Sequence, residues 1–265
     1  MKKMTIHSRY INIILILMDR PVIVKFLKDN GLNISFWNQI CNLESIDLNS
    51  KHIDDIPDEI GILTNLFNLN LSYNQICKIP KSLKSNLNLK SLNICGNYLT
   101  DLPKELSSLN CLKELNVSNN FLSSFSLELK SLKSLIISKN NLCIFPREIC
   151  KLKRLEYLDI SKNKITNIPT EIGNLKNLKE FDISSNSLTY INLHLYRLIQ
   201  LTFLNISNNA VKSLSEDLSK LVNLKELDVS FNGLYIFPYS INEMTSLHTL
   251  SYEYNTIINV PSKFI

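Results

Sequence analysis

The sequence predicts an α/β repeat fold: a solenoid with a parallel sheet on its concave side and short helical turns on its convex side. Three observations predict it. Leucines recur in register every 23 residues from Leu43 through Leu66, Leu89 and Leu112, and again from Leu132 to Leu247, with one 20-residue step between Leu112 and Leu132. The 265-residue chain holds 34 Asn against 5 Gly, and the asparagines share the leucine period. With 45 Leu, 33 Ile and a 20% charged fraction, it carries enough apolar material for a continuous core and does not have a disordered composition.

Aligning the units on these leucines yields LxxLxLxxNxLxxLPxxLxxLxx. The stretch Leu155-Glu156-Tyr157-Leu158-Asp159-Ile160-Ser161-Lys162-Asn163 shows its first half. Leucines at positions four and six alternate inward, which requires a short strand of period two. A strand with one apolar edge cannot bury itself, so successive units stack into a parallel ladder. At about 4.8 Å per strand, ten strands extend roughly 45 Å. Where the chain leaves each strand, buried backbone groups need partners. Position nine supplies them with Asn74, Asn97, Asn120, Asn140, Asn163, Asn186, Asn209, Asn232 and Asn255, because one amide both donates and accepts. Lys51 takes this place in the first unit, where no earlier unit needs bridging.

The second half of each unit returns along the convex side as a short helical turn. Pro57, Pro80, Pro103, Pro146, Pro169, Pro238 and Pro261 stand where a fixed φ starts such a turn. Asn192 and Ser215 replace proline, and looser convex segments are expected there. The 20-residue unit from Leu112 to Ser131 lacks the proline segment, which predicts a local change of curvature. Residues 1–42 fall outside the repeat and are read as an N-terminal capping segment, with the solenoid occupying 43–265. Pro21 opens a helix over Val22 to Asp29, which Asn30-Gly31 terminates. Lys2-Lys3 ahead of Ile11 to Met18 has the outline of a secretory leader, but Asp19-Arg20-Pro21 follows in place of small cleavage-site residues. Ile11 to Met18 is also far short of the roughly 20 residues of a membrane span, so no span is expected.

No chemistry is expected. GxGxxG, GxxxxGK[ST], HExxH and CxxC are all absent, and His7, His52, His194 and His248 are far apart. The expectation is therefore no catalysis, no cofactor and no metal. Asp or Asn recurs at position five in nearly every unit, which marks it as scaffold rather than a metal site. The six cysteines show no paired flanking clusters, so buried free thiols in a reducing, cytoplasmic setting are expected. Sequons at Asn70, Asn116 and Asn205 arise from the repeat itself and say little about secretion. The net charge is +5, with 24 Lys to 5 Arg. Lys alternates with Glu along the chain and Arg forks are scarce, so nucleic acid is not an expected partner.

Binding is expected where exposed positions vary between units. Position three on the concave sheet varies widely, as does position eight. Exposed aromatics beside charges have the composition of interface hot spots. The candidate site is the concave face of units five to nine: Ile136, Lys139, Tyr157, Lys162, Glu180, Phe203, Glu226 and Phe231. Ile136 interrupts the Asp/Asn column and is expected beside Tyr157 and Lys139.

The unit Ile168-Pro169-Thr170-Glu171-Ile172-Gly173-Asn174-Leu175 and its LPxxLxxL pattern resemble the leucine-rich repeat proteins of the intracellular 23-residue class, the Ras-group scaffolds. The resemblance covers about Leu43 to Ile265. It implies a leucine-rich repeat solenoid and a scaffold role in signal transduction, through a protein partner on the concave face. A small GTPase or another signalling protein fits that implication. The alternatives weighed are a pathogen or viral effector acting on a host signalling protein, and the recognition subunit of a ubiquitin-ligase-type assembly.

Overall fold

A computed structural model describes residues 21–32, 39–40, 42–261 and 264. Position four sits at the centre of every strand. The strands are β1 Ser45–Asp47, β2 Asn68–Asn70, β3 Ser91–Asn93, β4 Glu114–Asn116 and β5 Ser134–Ile136, followed by β6 Tyr157–Asp159, β7 Glu180–Asp182, β8 Phe203–Asn205, β9 Glu226–Asp228 and β10 Thr249–Ser251. They form one parallel sheet in chain order. Each strand's central residue, leucine except at Ile46 and Phe181, pairs with the next, as Leu69 does with Leu92 and Leu92 with Leu115. Register survives the short unit, where Leu115 pairs with Leu135. Leu155, Leu158 and Ile160 are fully buried, and their equivalents join a single core that runs along the array.

The asparagine column makes the predicted bridges. Asn163 Oδ1 accepts from the N–H of Leu142 in the preceding unit (3.0 Å). Its Nδ2 donates to Ile137 O of that unit (3.1 Å) and to Ile160 O of its own (3.0 Å). Asn74 does the same for the first unit, accepting from Lys51 and Ile53. This explains why Lys51 suffices there: its backbone receives the bridge and its side chain is not required.

The convex segments are five-residue 3₁₀ turns, too short for α-helix. Pro57, Pro80, Pro103, Pro146, Pro169 and Pro238 each stand just before a turn with φ between −71° and −63°. Asn192 and Ser215 do not loosen their units. Leu193–Arg197 and Glu216–Lys220 have the same length as the others. Asn192 Oδ1 accepts from His194 N–H (3.0 Å) and Ser215 Oγ from Asp217 N–H (3.2 Å), so a side-chain cap replaces the ring constraint. Among the described residues no 3₁₀ turn lies between β4 and β5. There Glu128 links the outer surface, its N–H donating to Ser107 Oγ and its carboxylate pairing with Lys151.

At the N-terminal end, residues 21–29 are helical. Gly31 at φ +91°, with Leu32 N–H on Leu27 O and Gly31 N–H on Lys28 O, closes the helix as Asn30-Gly31 predicted. Ile23 and Leu27 are fully buried and belong to the continuous core. Residues 1–20, including Ile11 to Met18, lie outside the described residues, as do 33–38 and Cys41. No helix among the described residues is long and apolar enough to cross a membrane. Free thiols divide into buried Cys95 and Cys150 and exposed Cys77, Cys111 and Cys143, which corrects the expectation that all are buried. Exposure follows from place in the unit: Cys77 and Cys143 stand on the loop after the Asn bridge, where the side chain leaves the core.

Candidate partner-binding face

Position three alternates with the buried position four, so its side chains stand on the concave surface. Register then lines up Ser134, Tyr157, Glu180, Phe203, Glu226 and Thr249 on successive strands. Four of the sequence-selected residues thus form one unbroken row of alternating ring and carboxylate. Tyr157 and Phe203 are half-buried, while Glu180 and Glu226 are exposed. Burial, and then the negative charges of Asp159, Asp182 and Glu180, push the Tyr157 phenol up.

Position five serves the turn. Asp159 Oδ1 accepts from Ser161 N–H (3.0 Å) and Ser161 Oγ (2.6 Å), and Asp228 does the same with Ser230. Asn70, Asn116 and Asn205 repeat this bond, so the sequon amides are held in the scaffold. Asp182 accepts from Ser184 N–H (2.8 Å) and pairs in register with Asp159. Burial, with the Asp159 charge adding to it, raises its pKa. Ile136 cannot offer this acceptor. It pairs in register with Asn116 and Asp159, whereas Tyr157 pairs with Ser134, so Ile136 and Tyr157 are diagonal rather than adjacent. A shallow depression of about 270 Å³ runs over β3 to β5 and ends at Ile136, a feature the sequence did not single out. Among the described residues, no three His, Cys, Asp or Glu side chains are grouped to hold a metal ion.

Position eight has a backbone signature invisible in its residue types. Ser50, Tyr73, Gly96, Asn119, Lys139, Lys162, Ser185, Asn208, Phe231 and Tyr254 all have φ between 52° and 67°. The chain turns there so that its N–H reaches the next unit, as Lys139 reaches Ser161 O and Lys162 reaches Ser184 O (both 2.9 Å). A left-handed residue bearing a Cβ costs about 1–2 kcal/mol, and only Gly, Asn and Asp adopt it readily. Lys139, Lys162 and Phe231 therefore occupy sites that local energetics would give to glycine or asparagine. Gly96 also makes room for a ring, since a Cβ there would lie 2.7 Å from Tyr73 Cδ1.

The structure brings Lys139 and Lys162 onto adjacent rungs and separates both from Phe231 by Ser185 and Asn208. Phe231 instead stacks on Tyr254, at 4.1 Å and 15°. Tyr98 stacks on Phe121 at 6.1 Å and 19°. Tyr254, Tyr98 and Phe121 are all at least half exposed and were not among the selected residues. A signal existed: each pair is 23 residues apart, one unit exactly in register.

Family models for the leucine-rich repeat match residues 153–211, 199–235 and 88–109. No curated protein matches the chain. Among solved structures, a leucine-rich repeat protein of Leptospira interrogans is 34% identical with a TM-score of 0.81, covering 85% of this chain and 58% of that protein. The leucine-rich repeat ectodomain of the plant membrane receptor kinase GASSHO1/SCHENGEN3 from Arabidopsis thaliana, in complex with CASPARIAN STRIP INTEGRITY FACTOR 2, is 29% identical at TM-score 0.72. That match covers 80% of this chain and 27% of the receptor's. A TDR receptor is 27% identical at TM-score 0.66, covering 86% of this chain and 48% of its own. The chain thus spans less than two thirds of the length of these relatives. Its repeat motif and its fold are those of a leucine-rich repeat solenoid. That fold is a general protein-interaction module and is typically non-catalytic.

Proposed function

We propose that this chain is a protein–protein interaction module that holds a protein partner on its concave face, without catalysis. The contact residues are Ile136, Lys139, Tyr157, Lys162, Glu180, Phe203, Glu226 and Phe231. One observation carries the reading: lysines and an aromatic ring stand at left-handed positions of local strain, next to an unbroken row of alternating aromatic and acidic side chains. Strain kept at exposed positions points to a use for the side chain outside the fold. Half-buried rings beside charges are the usual anchors of an interface.

The finer reading is a cytoplasmic scaffold in signal transduction, of the 23-residue Ras-group kind, with a small GTPase or another signalling protein as partner. Three exposed free thiols support a reducing compartment. Residues 1–42 serve as the N-terminal cap, a role supported by the full burial of Ile23 and Leu27 against the array. The test is an affinity capture from native-cell lysate with intact protein and a Tyr157→Ala, Phe203→Ala variant of confirmed fold. Loss of a specific partner from the variant supports the concave site. Equal capture by both proteins removes it.

A further inference from the structure

In sequence the lysines are spread out; in a solenoid, residues 23 apart are neighbours. At position two, Lys113, Lys133, Glu156 and Lys179 lie on adjacent rungs along the N-terminal edge of the sheet. Lys133 N–H donates to Lys113 O, Glu156 N–H to Lys133 O and Lys179 N–H to Glu156 O, each at 2.8 Å. A second row lies just ahead of each leucine and carries Lys130, Lys153, Arg154 and Lys176. Asn177 Nδ2 ties this row together by donating to Lys153 O (2.8 Å). All seven basic side chains are exposed. The sole carboxylate of the two rows over these units, Glu156, is shared by Lys133 (2.6 Å) and Lys179 (2.7 Å). An open groove of about 350 Å³ is lined by Lys133, Arg154, Glu156, Asn177 and Lys179.

We propose that this edge docks an extended acidic segment of a protein partner. Seven cations against Glu156 within the rows, with Glu128 close to Lys130 and Glu114 and Glu180 on the border, leave a strip of net positive charge over units four to seven, which attracts and orients an acidic chain. Four rungs about 4.8 Å apart span roughly 14 Å, the reach of about four to five residues of an extended peptide that advances about 3.3 Å per residue. Six of the seven cations are lysines, point charges rather than the planar forks suited to phosphate. Glu156 within the strip, and Glu114 and Glu180 bordering it on the concave side, repel a continuous phosphate backbone. A protein segment avoids that repulsion by placing a neutral or basic residue there. The docking edge uses none of the concave contact residues proposed above.

The probe is a fluorescein-labelled glutamate-rich peptide, titrated by anisotropy with the intact chain at low and physiological salt. Binding is expected to weaken as salt rises, and Lys130→Glu, Lys153→Glu to weaken it at least about tenfold. The charge-matched control Lys78→Glu, Lys212→Glu, away from the edge, keeps the affinity. So does Tyr157→Ala, Phe203→Ala, which separates this edge from the concave site. Far-UV circular dichroism checks each fold; Lys130→Gln, Lys153→Gln replaces the reversal if it fails to fold and is expected to weaken binding in the same direction. No binding at low salt, equal loss in the control, or tighter binding of a single-stranded oligonucleotide or anionic vesicles overturns the proposal.

Discussion

Replacing Asn163 with alanine removes four hydrogen bonds but leaves a single buried group without any partner. All three carbonyl acceptors are doubly served. Ile137 O keeps Asn140 Nδ2 (3.1 Å), Ile160 O keeps Asn186 Nδ2 (3.1 Å) and Ser161 O keeps the N–H of Lys139 (2.9 Å). Leu142 N–H has only Asn163 Oδ1 (3.0 Å). An orphaned buried donor costs about 1–3 kcal/mol, and each redundant bond lost adds about 0.5 kcal/mol or less. The expected loss for Asn163→Ala is therefore about 1–4 kcal/mol. Asn163→Asp changes one group but turns a carboxylate oxygen toward three carbonyl oxygens. It keeps the partner of Leu142 and is still expected to cost at least as much as alanine, because a buried carboxylate with one donor and three facing carbonyl oxygens is worse than a missing side chain. Urea denaturation followed by far-UV circular dichroism measures both. The m-value must match that of the parent chain, because an array broken into separate cooperative halves yields a smaller one. A loss under about 0.5 kcal/mol for Asn163→Ala, or an aspartate variant as stable as the parent, would refute the account of the ladder.

Three further outcomes follow from the same geometry. The folded-state pKa of Asp182 is raised, so its ionisation weakens the fold as pH rises through that pKa. Asp182→Asn keeps the turn acceptor, as Asn205 does, and is expected to stabilise by about 0.5–1 kcal/mol near neutral pH and not below about pH 3. Lys133 and Lys179 hold Glu156 at a pKa of about 2, so its contribution is present above the ordinary glutamate range and lost as pH falls through about 2. Carboxyl carbon NMR should show that midpoint, and Lys133→Met should move it upward; an unchanged midpoint contradicts the pairing. Lys162→Asn relieves a left-handed lysine and is expected to raise stability by about 0.5–1 kcal/mol while weakening capture of the partner. A lower urea midpoint for that variant would sink the strain argument.

The repeating elements were legible because each obeys a local rule repeated along the chain. Leu158 marks its strand, Asn163 its bridge and Pro169 its turn, and nine other units say nearly the same thing. Residues 21–29 were equally plain, since Asn30-Gly31 is a chemical stop. The expectation of loose turns at Asn192 and Ser215 failed on a local rule left unapplied: both side chains are good caps. The placement of Ile136 beside Tyr157 failed because adjacency on a sheet is set by register, and register put Ser134 there.

The sequence by itself determined the array: its period, its strands, its buried columns and the amide ladder that joins units. These depend on residue type at fixed spacing, and 23-residue recurrence carries that information many times over. Tertiary structure alone decided which exposed side chains share a surface. Stacking brings residues a full unit apart to within a strand's width, so scattered lysines become one basic edge, and Phe231 meets Tyr254 rather than Phe203. It also decided the left-handed backbone at position eight, because the need for that N–H to reach the following unit exists only once the units are stacked.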